Sequence, residues 1–197
     1  EIFIRQLAAC EDTRTGKIVA CLFLEDAKQM CSSSSKTLLY NLDVFSIEQL
    51  QQIAILSNLS LHTTEDKAII TQLFLSHCFI EVLKAGGQAL IVSCDIGFFS
   101  DYKNLGLRPI GSLTKNNLGE TVIPMIFLPD RDYLSLIGSP ILNNIRGANF
   151  EAYQDFCIWY YDLLKERSDL TIGAAIFTDS LNDFGGHQII TAGMSEE

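Results

Sequence analysis

The strongest constraint on this chain lies in residues 53–94, which read as a strand, a helix and a second strand. IEQLQQIAILSNLSL (47–61) turns into an alternating strand by Gln52. Ile53, Ile55, Ser57, Leu59 and Leu61 share one face, and Ala54, Leu56, Asn58 and Ser60 share the other, which is the period of a strand. The change of character near Ser57–Asn58 marks a candidate bulge. HTTEDKAII follows. Thr63 or Thr64 can cap a helix there, and Glu65 and Asp66 put carboxylates at the end where the helix dipole favours them. The helix is apolar on most sides, runs to Lys84 and stops at Gly86-Gly87, a natural C-terminal signal. QALIVSC (88–94) is continuously apolar, as a strand covered on both faces must be. Two strands joined through a helix run parallel, with a right-handed crossover. The expected fold class is therefore α/β.

The flanks read less sharply. Glu1 to Cys10 and Lys17 to Phe23 predict a hairpin around the polar turn EDTRTG. KQMCSSSSKTL (28–38) lacks periodicity and predicts an exposed loop, which is either a connector or a substrate lid. A short helix is expected over 97–104, then strands over 108–113 and 121–128 joined by the turn TKNNLGE. Residues 129–149, with two prolines and two glycines, read as loop. FEAYQDFCIWYYDLLKER (150–167) reads as an amphipathic helix, and the tail ends in a polar segment expected to fray.

Composition removes several function classes. With 197 residues, 48% of them hydrophobic, the chain can bury one sizeable core. A formal net charge of −10 repels phosphate backbones, and no basic patch offsets it, so no nucleic-acid partner is expected. No apolar run reaches the roughly 18–20 residues of a membrane span. The six cysteines stand singly, without a CxxC pair, and EIFIRQ has no signal-peptide pattern. Both point to free thiols and a cytoplasmic setting. His77 and Cys78 are adjacent on a helix and diverge by about 100°, so they make poor joint ligands, and no metal is expected. Cys94 with His62 or His77 could form a nucleophile pair, but a cysteine in a central strand is more often a small core residue. Gly185-Gly186 and His187 carry no specific signal.

The most informative local pattern is Phe99, then Tyr102-Lys103-Asn104-Leu105-Gly106-Leu107, then Gly111, directly after QALIVSC. It resembles the signature of the GNAT superfamily of N-acyltransferases: Tyr, two polar residues, Leu, Gly and an apolar residue, crossing a short helix between the fifth and sixth strands. Ala54 to Leu61 resembles the family's fourth strand. The segment around Leu42-Asp43-Val44-Phe45 is closer to autoinducer synthases and N-acyl amino acid synthases than to small acetyltransferases. The resemblance covers residues 5–128. It implies a GNAT-like mixed, mostly antiparallel sheet, flanked by helices and splayed around a central parallel pair. It also implies an acyltransferase domain over 1–135 and a helical C-terminal extension, 136–197, packing on it or dimerising. The family's first strand and following two helices have no clear counterpart, so they are expected to be truncated or replaced.

The activity implied is transfer of an acyl group from a thioester, acyl-CoA or the acyl-phosphopantetheine of an acyl-carrier protein, to a small-molecule amine. Tyr102, at the carboxyl end of a central strand, could protonate the leaving thiol, or could simply pack its ring. Ser57, Asn58, Leu59 and Leu61 would position the donor through their main chain, and Thr64, Glu65, Asp66, Lys67 and Ala68 would hold its phosphate. The phosphate segment departs from the family: it has no glycine or arginine, and its two carboxylates oppose an anion. Ile55 and Asn58 stand where long-chain relatives carry a Glu and an Arg. Asp43, Glu48 and Asp95 remain as acids; Asp95 could orient an amine, or cap the next helix. These departures keep open an alternative, a catalytically degenerate module of the same fold that binds or regulates.

Overall fold

The computed structural model describes residues 6–62, 67–116, 118–145 and 149–167. The hairpin β1 (Gln6–Asp12) and β2 (Lys17–Asp26) turns at Gly16, whose φ is +66°. Three short helices follow: α1 (Ala27–Met30), α2 (Ser34–Tyr40) and α3 (Ile47–Leu50). Then come β3 (Ile53–Leu61), α4 (Lys67–Lys84) and β4 (Ala89–Asp95). A 3-10 turn at Ile96–Phe98 leads into α5 (Phe99–Leu105), followed by β5 (Leu107–Pro109), β6 (Thr114–Lys115) and β7 (Thr121–Phe127). The chain continues through α6 (Arg131–Leu136), α7 (Ile141–Asn144) and, after a 3-10 turn at Phe150–Tyr153, α8 (Gln154–Glu166). The described strands form one mixed sheet in the order β1-β2-β3-β4-β7-β5, with β6 also on β7. Only β3–β4 pairs in parallel among them.

Helices cover both faces, which is why the central strands are apolar throughout. Ile53, Ile55, Ala89, Ile91 and Ile126 face a core closed by Met30, Tyr40, Leu50, Phe156 and Tyr160, from α1, α2, α3 and α8. Ala54, Leu56, Leu90, Val92, Cys94, Met125 and Phe127 face the other core, closed by Phe74, Phe79 and Val82 of α4 and by Tyr102 and Leu105 of α5. The α4 helix ends as expected, with Gly86 at φ +86° and Gly87 N–H bonded 2.9 Å from the Val82 carbonyl. No described helix is long and apolar enough to cross a membrane.

Four expectations need correction. Residues 28–38 are not a loop. Asp26 caps α1 by accepting the Lys28 amide at 2.8 Å, and Met30 and Tyr40 are buried, so packing orders helices whose serine-rich sequence has little propensity of its own. Residues 129–149 contain α6 and α7; Asp130 caps α6 through the Tyr133 amide at 3.1 Å. The strand expected over 108–113 is cut to β5: Ile110 still donates to the Pro124 carbonyl at 3.0 Å, but Pro124 has no N–H to return the bond, and the Ile110 carbonyl accepts from Asn41 Nδ2 instead. Finally, Leu59 and Leu61 do not share a face with Ile53 and Ile55. They pack with the α4 side, because Asn58 and Leu59 together oppose Leu22 in a bulge. One extra residue exchanges the two faces of a strand. The tail from 168 onward lies outside the described residues.

The helix α8 is tied to the sheet by a buried cation. Arg108 Nη1 lies 3.1 Å from Asp130 Oδ2 and donates to the Tyr161 hydroxyl at 3.2 Å. The Tyr161 hydroxyl in turn donates to Asp130 at 2.7 Å. The guanidinium stacks on the Tyr133 and Tyr160 rings at 4.4 and 4.6 Å, and the Tyr160 hydroxyl donates to the Pro109 carbonyl. Burial works against charge on Asp130, but the Tyr161 hydroxyl, the Tyr133 amide and Arg108 together hold its carboxyl below the usual range.

Candidate functional site

The parallel ladder is short. It runs from Ile53–Ala89 to Leu56–Val92 and stops, although both strands continue. Beyond that point β3 stays with β2, and β4 stays with β7 through Ser93, Cys94 and Asp95. The two strands therefore diverge, and a cleft opens at their carboxyl ends, the usual position for ligands in open α/β sheets. The bulge contributes to this divergence: Asn58 holds φ +54°, a left-handed conformation that Asn tolerates better than most residues, and bulges sharpen local twist.

The cleft encloses about 440 Å³. Asn58, Leu59 and Leu61 form its β3 wall, and Ser93 and Asp95 its β4 wall. Phe98 and Tyr102 close it from the α5 side, Leu39 and Tyr40 from α2, and Leu118 and Glu120 from the turn between β6 and β7. The lining is mixed: apolar surface broken by a few hydroxyl, amide and carboxylate groups.

Tyr102 is only 4% exposed, and its ring belongs to the core beside Leu105. Burial, reinforced by the nearby Asp101 and Asp95 carboxylates, pushes its hydroxyl well above the ordinary tyrosine range. The phenol therefore keeps its proton at neutral pH and cannot serve as a base there. Its placement depends on Gly106, which caps α5 at φ +110° with its N–H 2.9 Å from the Lys103 carbonyl. A Cβ on Gly106 would overlap Cδ2 of Leu134. Chain reversal and close packing both require glycine at this point.

Asp95 stands on the cleft wall, and its Oδ1 accepts the Gly97 amide at 2.7 Å, so it caps the turn that leads into α5. Asn58, Leu59 and Leu61 meet Tyr102 and Asp95 in one cavity. Ser57 does not line it; its side chain is buried on the α2 side of β3, and its hydroxyl donates to Glu25. Thr64, Glu65 and Asp66 lie outside the described residues, and Lys67 and Ala68 open α4. Asp43 and Glu48 are exposed and do not line the cleft. Among the described residues, no three His, Cys, Asp or Glu side chains come together as a metal site, and all six cysteines are free.

One residue at the site escapes a sequence reading: Tyr40 lies just beyond the serine-rich segment 28–38, in a stretch with no periodicity. Glu25 follows the apolar run KIVACLFL, and the predicted strand ended at Phe23. The observed strand runs to Asp26, which turns Glu25 into a carboxylate on an inward-facing position.

No protein-family model matches the sequence, and no curated protein matches it. Solved structures do resemble it. FeeM, an N-acyl amino acid synthase from uncultured soil microbes, covers 63% of this chain and 72% of its own at 9% identity, with a TM-score of 0.51. BjaI, a CoA-dependent acyl-homoserine lactone synthase solved with SAM and isopentyl-CoA, covers 68% of this chain and 64% of its own at 14% identity, with a TM-score of 0.50. LasI, another acyl-homoserine lactone synthase, gives 18% identity and a TM-score of 0.49 over 64% of this chain and 66% of its own. Likeness at such low identity speaks for architecture alone. With its mixed sheet, splayed parallel pair, flanking helices and C-terminal helix, the chain has the GNAT-like fold.

Proposed function

We propose that this protein transfers an acyl group from a thioester donor, acyl-CoA or an acyl-carrier protein, to the nitrogen of a small-molecule amine. The observation that carries this reading is the cleft between the diverging ends of β3 and β4, with Tyr102 among the residues of its wall. The main chain of Asn58–Leu61 lies beyond the β3–β4 ladder, so an extended, amide-bearing arm can hydrogen-bond along it as an added strand does. In this reading the thioester stops beside Tyr102, and residues 64–68 hold the donor's phosphate. The amine attacks the thioester carbonyl, the C–S bond breaks, and Tyr102 donates a hydrogen bond to the departing sulfur. Because burial makes the phenol a weaker acid than a thiol of ordinary pKa, about 8.5, stabilising the thiolate is its main contribution.

The test uses acetyl-CoA, a long-chain acyl-CoA and an acyl-carrier protein as donors. Donor retention is read by native mass spectrometry, and thiol release is followed with a panel of amines. We expect one donor to be retained and its thiol released only when an amine is present. Tyr102→Phe should lower turnover by roughly 10²-fold or more while donor retention persists. If the intact protein retains none of the three donors, acyl transfer is refuted and a binding module of the same fold takes its place.

A further inference from the structure

The cleft carries charge of one sign. Of the described residues that line it, Asp95 on β4 and Glu120 in the turn before β7 are carboxylates, and none is Lys, Arg or His. Each is tied to the protein through one oxygen: Asp95 Oδ1 accepts the Gly97 amide at 2.7 Å, and Glu120 Oε2 accepts the Asn116 side-chain amide at 2.7 Å. Neither forms an ion pair among the described residues, and both are exposed, so their second oxygens are within reach of a ligand. Ser93 lies two residues from Asp95 on the same face of β4 and also lines the cleft; its Oγ has no hydrogen-bond partner among the described residues. A polar atom left so in a cavity wall is one that a ligand can satisfy.

The negative field reaches the transfer end of the cleft, because Asp95 acts on the Tyr102 hydroxyl, and the chain's net charge of −10 adds a long-range field of the same sign. This charge has no counterpart in the donor. Between its phosphate and its thioester a pantetheine arm is uncharged, and in the reading above the phosphate stays at residues 64–68. The attacking nitrogen is not the counterpart either: it must present a free lone pair, and an ammonium has none. Charge complementarity therefore falls to a second group on the acceptor, where an ammonium is attracted and a carboxylate repelled. Leu39, Leu59, Leu61 and Phe98 give the same cleft an apolar surface that suits the methylene stem between two nitrogens.

We infer that the acceptor is a short aliphatic diamine, one nitrogen placed at the thioester and the other held as an ammonium by Asp95 and Glu120. This assignment rests on the acyl-transfer reading above and names the class of its acceptor. The reacting nitrogen first loses its ammonium proton to solvent. Its lone pair forms the C–N bond, the C–S bond breaks, and the electron pair leaves on sulfur. One of the two N–H protons then neutralises the thiolate, and the far ammonium is unchanged. The products are a monoacylated diamine, a thiol and the proton released to solvent.

The experiment measures kcat/KM, with the donor that the protein retains, for three linear acceptors of one length: diaminobutane, pentylamine and the terminal amino acid aminopentanoate. Their far ends are an ammonium, a methyl group and a carboxylate. We expect diaminobutane to exceed pentylamine by roughly 10-fold or more and aminopentanoate by roughly 10²-fold or more. Glu120→Gln and Asp95→Asn each keep an oxygen to accept from Asn116 and Gly97. Each should lower the ratio of diaminobutane to pentylamine severalfold, a readout that a structural loss does not move, because such a loss falls on both acceptors equally. If diaminobutane does not exceed the other two, or if both variants leave the ratio unchanged, the assignment is overturned while acyl transfer stands. Thiol release with another amine and none with diaminobutane overturns it equally. Should circular dichroism show one variant unfolded, the other variant and the three acceptors with the unaltered protein decide. If no amine releases thiol, the acyl-transfer reading itself fails and the diamine assignment falls with it.

Discussion

Replacing Gly106 with alanine tests the link between the Tyr-containing motif and the geometry of the site. The glycine sits at φ +110°, beyond the left-handed well near +50 to +70° that other residues can occupy. That conformation costs an L-residue about 1–2 kcal/mol. The new methyl would also overlap Leu134 Cδ2 and come within 3.2 Å of Phe127 Cε2, inside a packed core, where overpacking costs about 1–3 kcal/mol. The sum is about 2–5 kcal/mol. At roughly 2–4 °C per kcal/mol for a chain of this size, the melting temperature should fall by about 4–20 °C. Gly86→Ala is the internal control: its φ is +86°, but nothing lies within 4 Å of the added Cβ, so only the conformational part, about 1–2 kcal/mol, applies. Urea unfolding of both variants measures the difference. If Gly106→Ala loses no more than Gly86→Ala, the close approach of Leu134 and Phe127 is not what demands glycine, and the reasoning fails.

Two further outcomes follow from the cation that ties α8 to the sheet and from the bulge. Arg108→Met should cost about 3–5 kcal/mol, because it leaves the Asp130 carboxylate buried without its cation; denaturant midpoints measure it. Asp130 has its folded pKa depressed, so its contribution is complete above its unfolded pKa of about 3.9 and is lost as pH falls through the lower folded value. Thermal melts of the intact protein should therefore weaken below about pH 4, and Asp130→Asn should flatten that dependence. At the bulge, Asn58→Gly should be tolerated, whereas Asn58→Val should lose about 1–2 kcal/mol, read from thermal unfolding, because a β-branched residue is strained at φ +54°.

Much of the architecture is legible in short-range patterns. The alternation of 53–57, the apolar run 88–94 and the Gly86-Gly87 stop each report a local choice that tertiary contacts then reinforce, so strand, helix and strand emerge where expected. The helices α1, α2, α6 and α7 were not legible, because segments of four to seven residues have too few turns to stabilise themselves. They form where Met30, Tyr40, Leu134 and Ile141 find a sheet to pack against. The candidate site divides in the same way. Tyr102, Asn58 and Asp95 could be named because each stands in a motif or at a strand end. Tyr40 could not, since nothing nearby in sequence marks it.

The sequence by itself determined the parallel strand pair, the helix between them and the glycine-dependent turn that follows, because hydrophobic period and φ requirements act over a few neighbouring residues. Only the tertiary structure decided where the parallel ladder ends and which face Leu59 and Leu61 take beyond the bulge. Those outcomes depend on pairing between residues distant in sequence, such as Ala20 with Leu61, Ile53 with Ala89 and Leu90 with Phe127. A one-residue offset in such pairing exchanges the faces of a strand without changing any local preference.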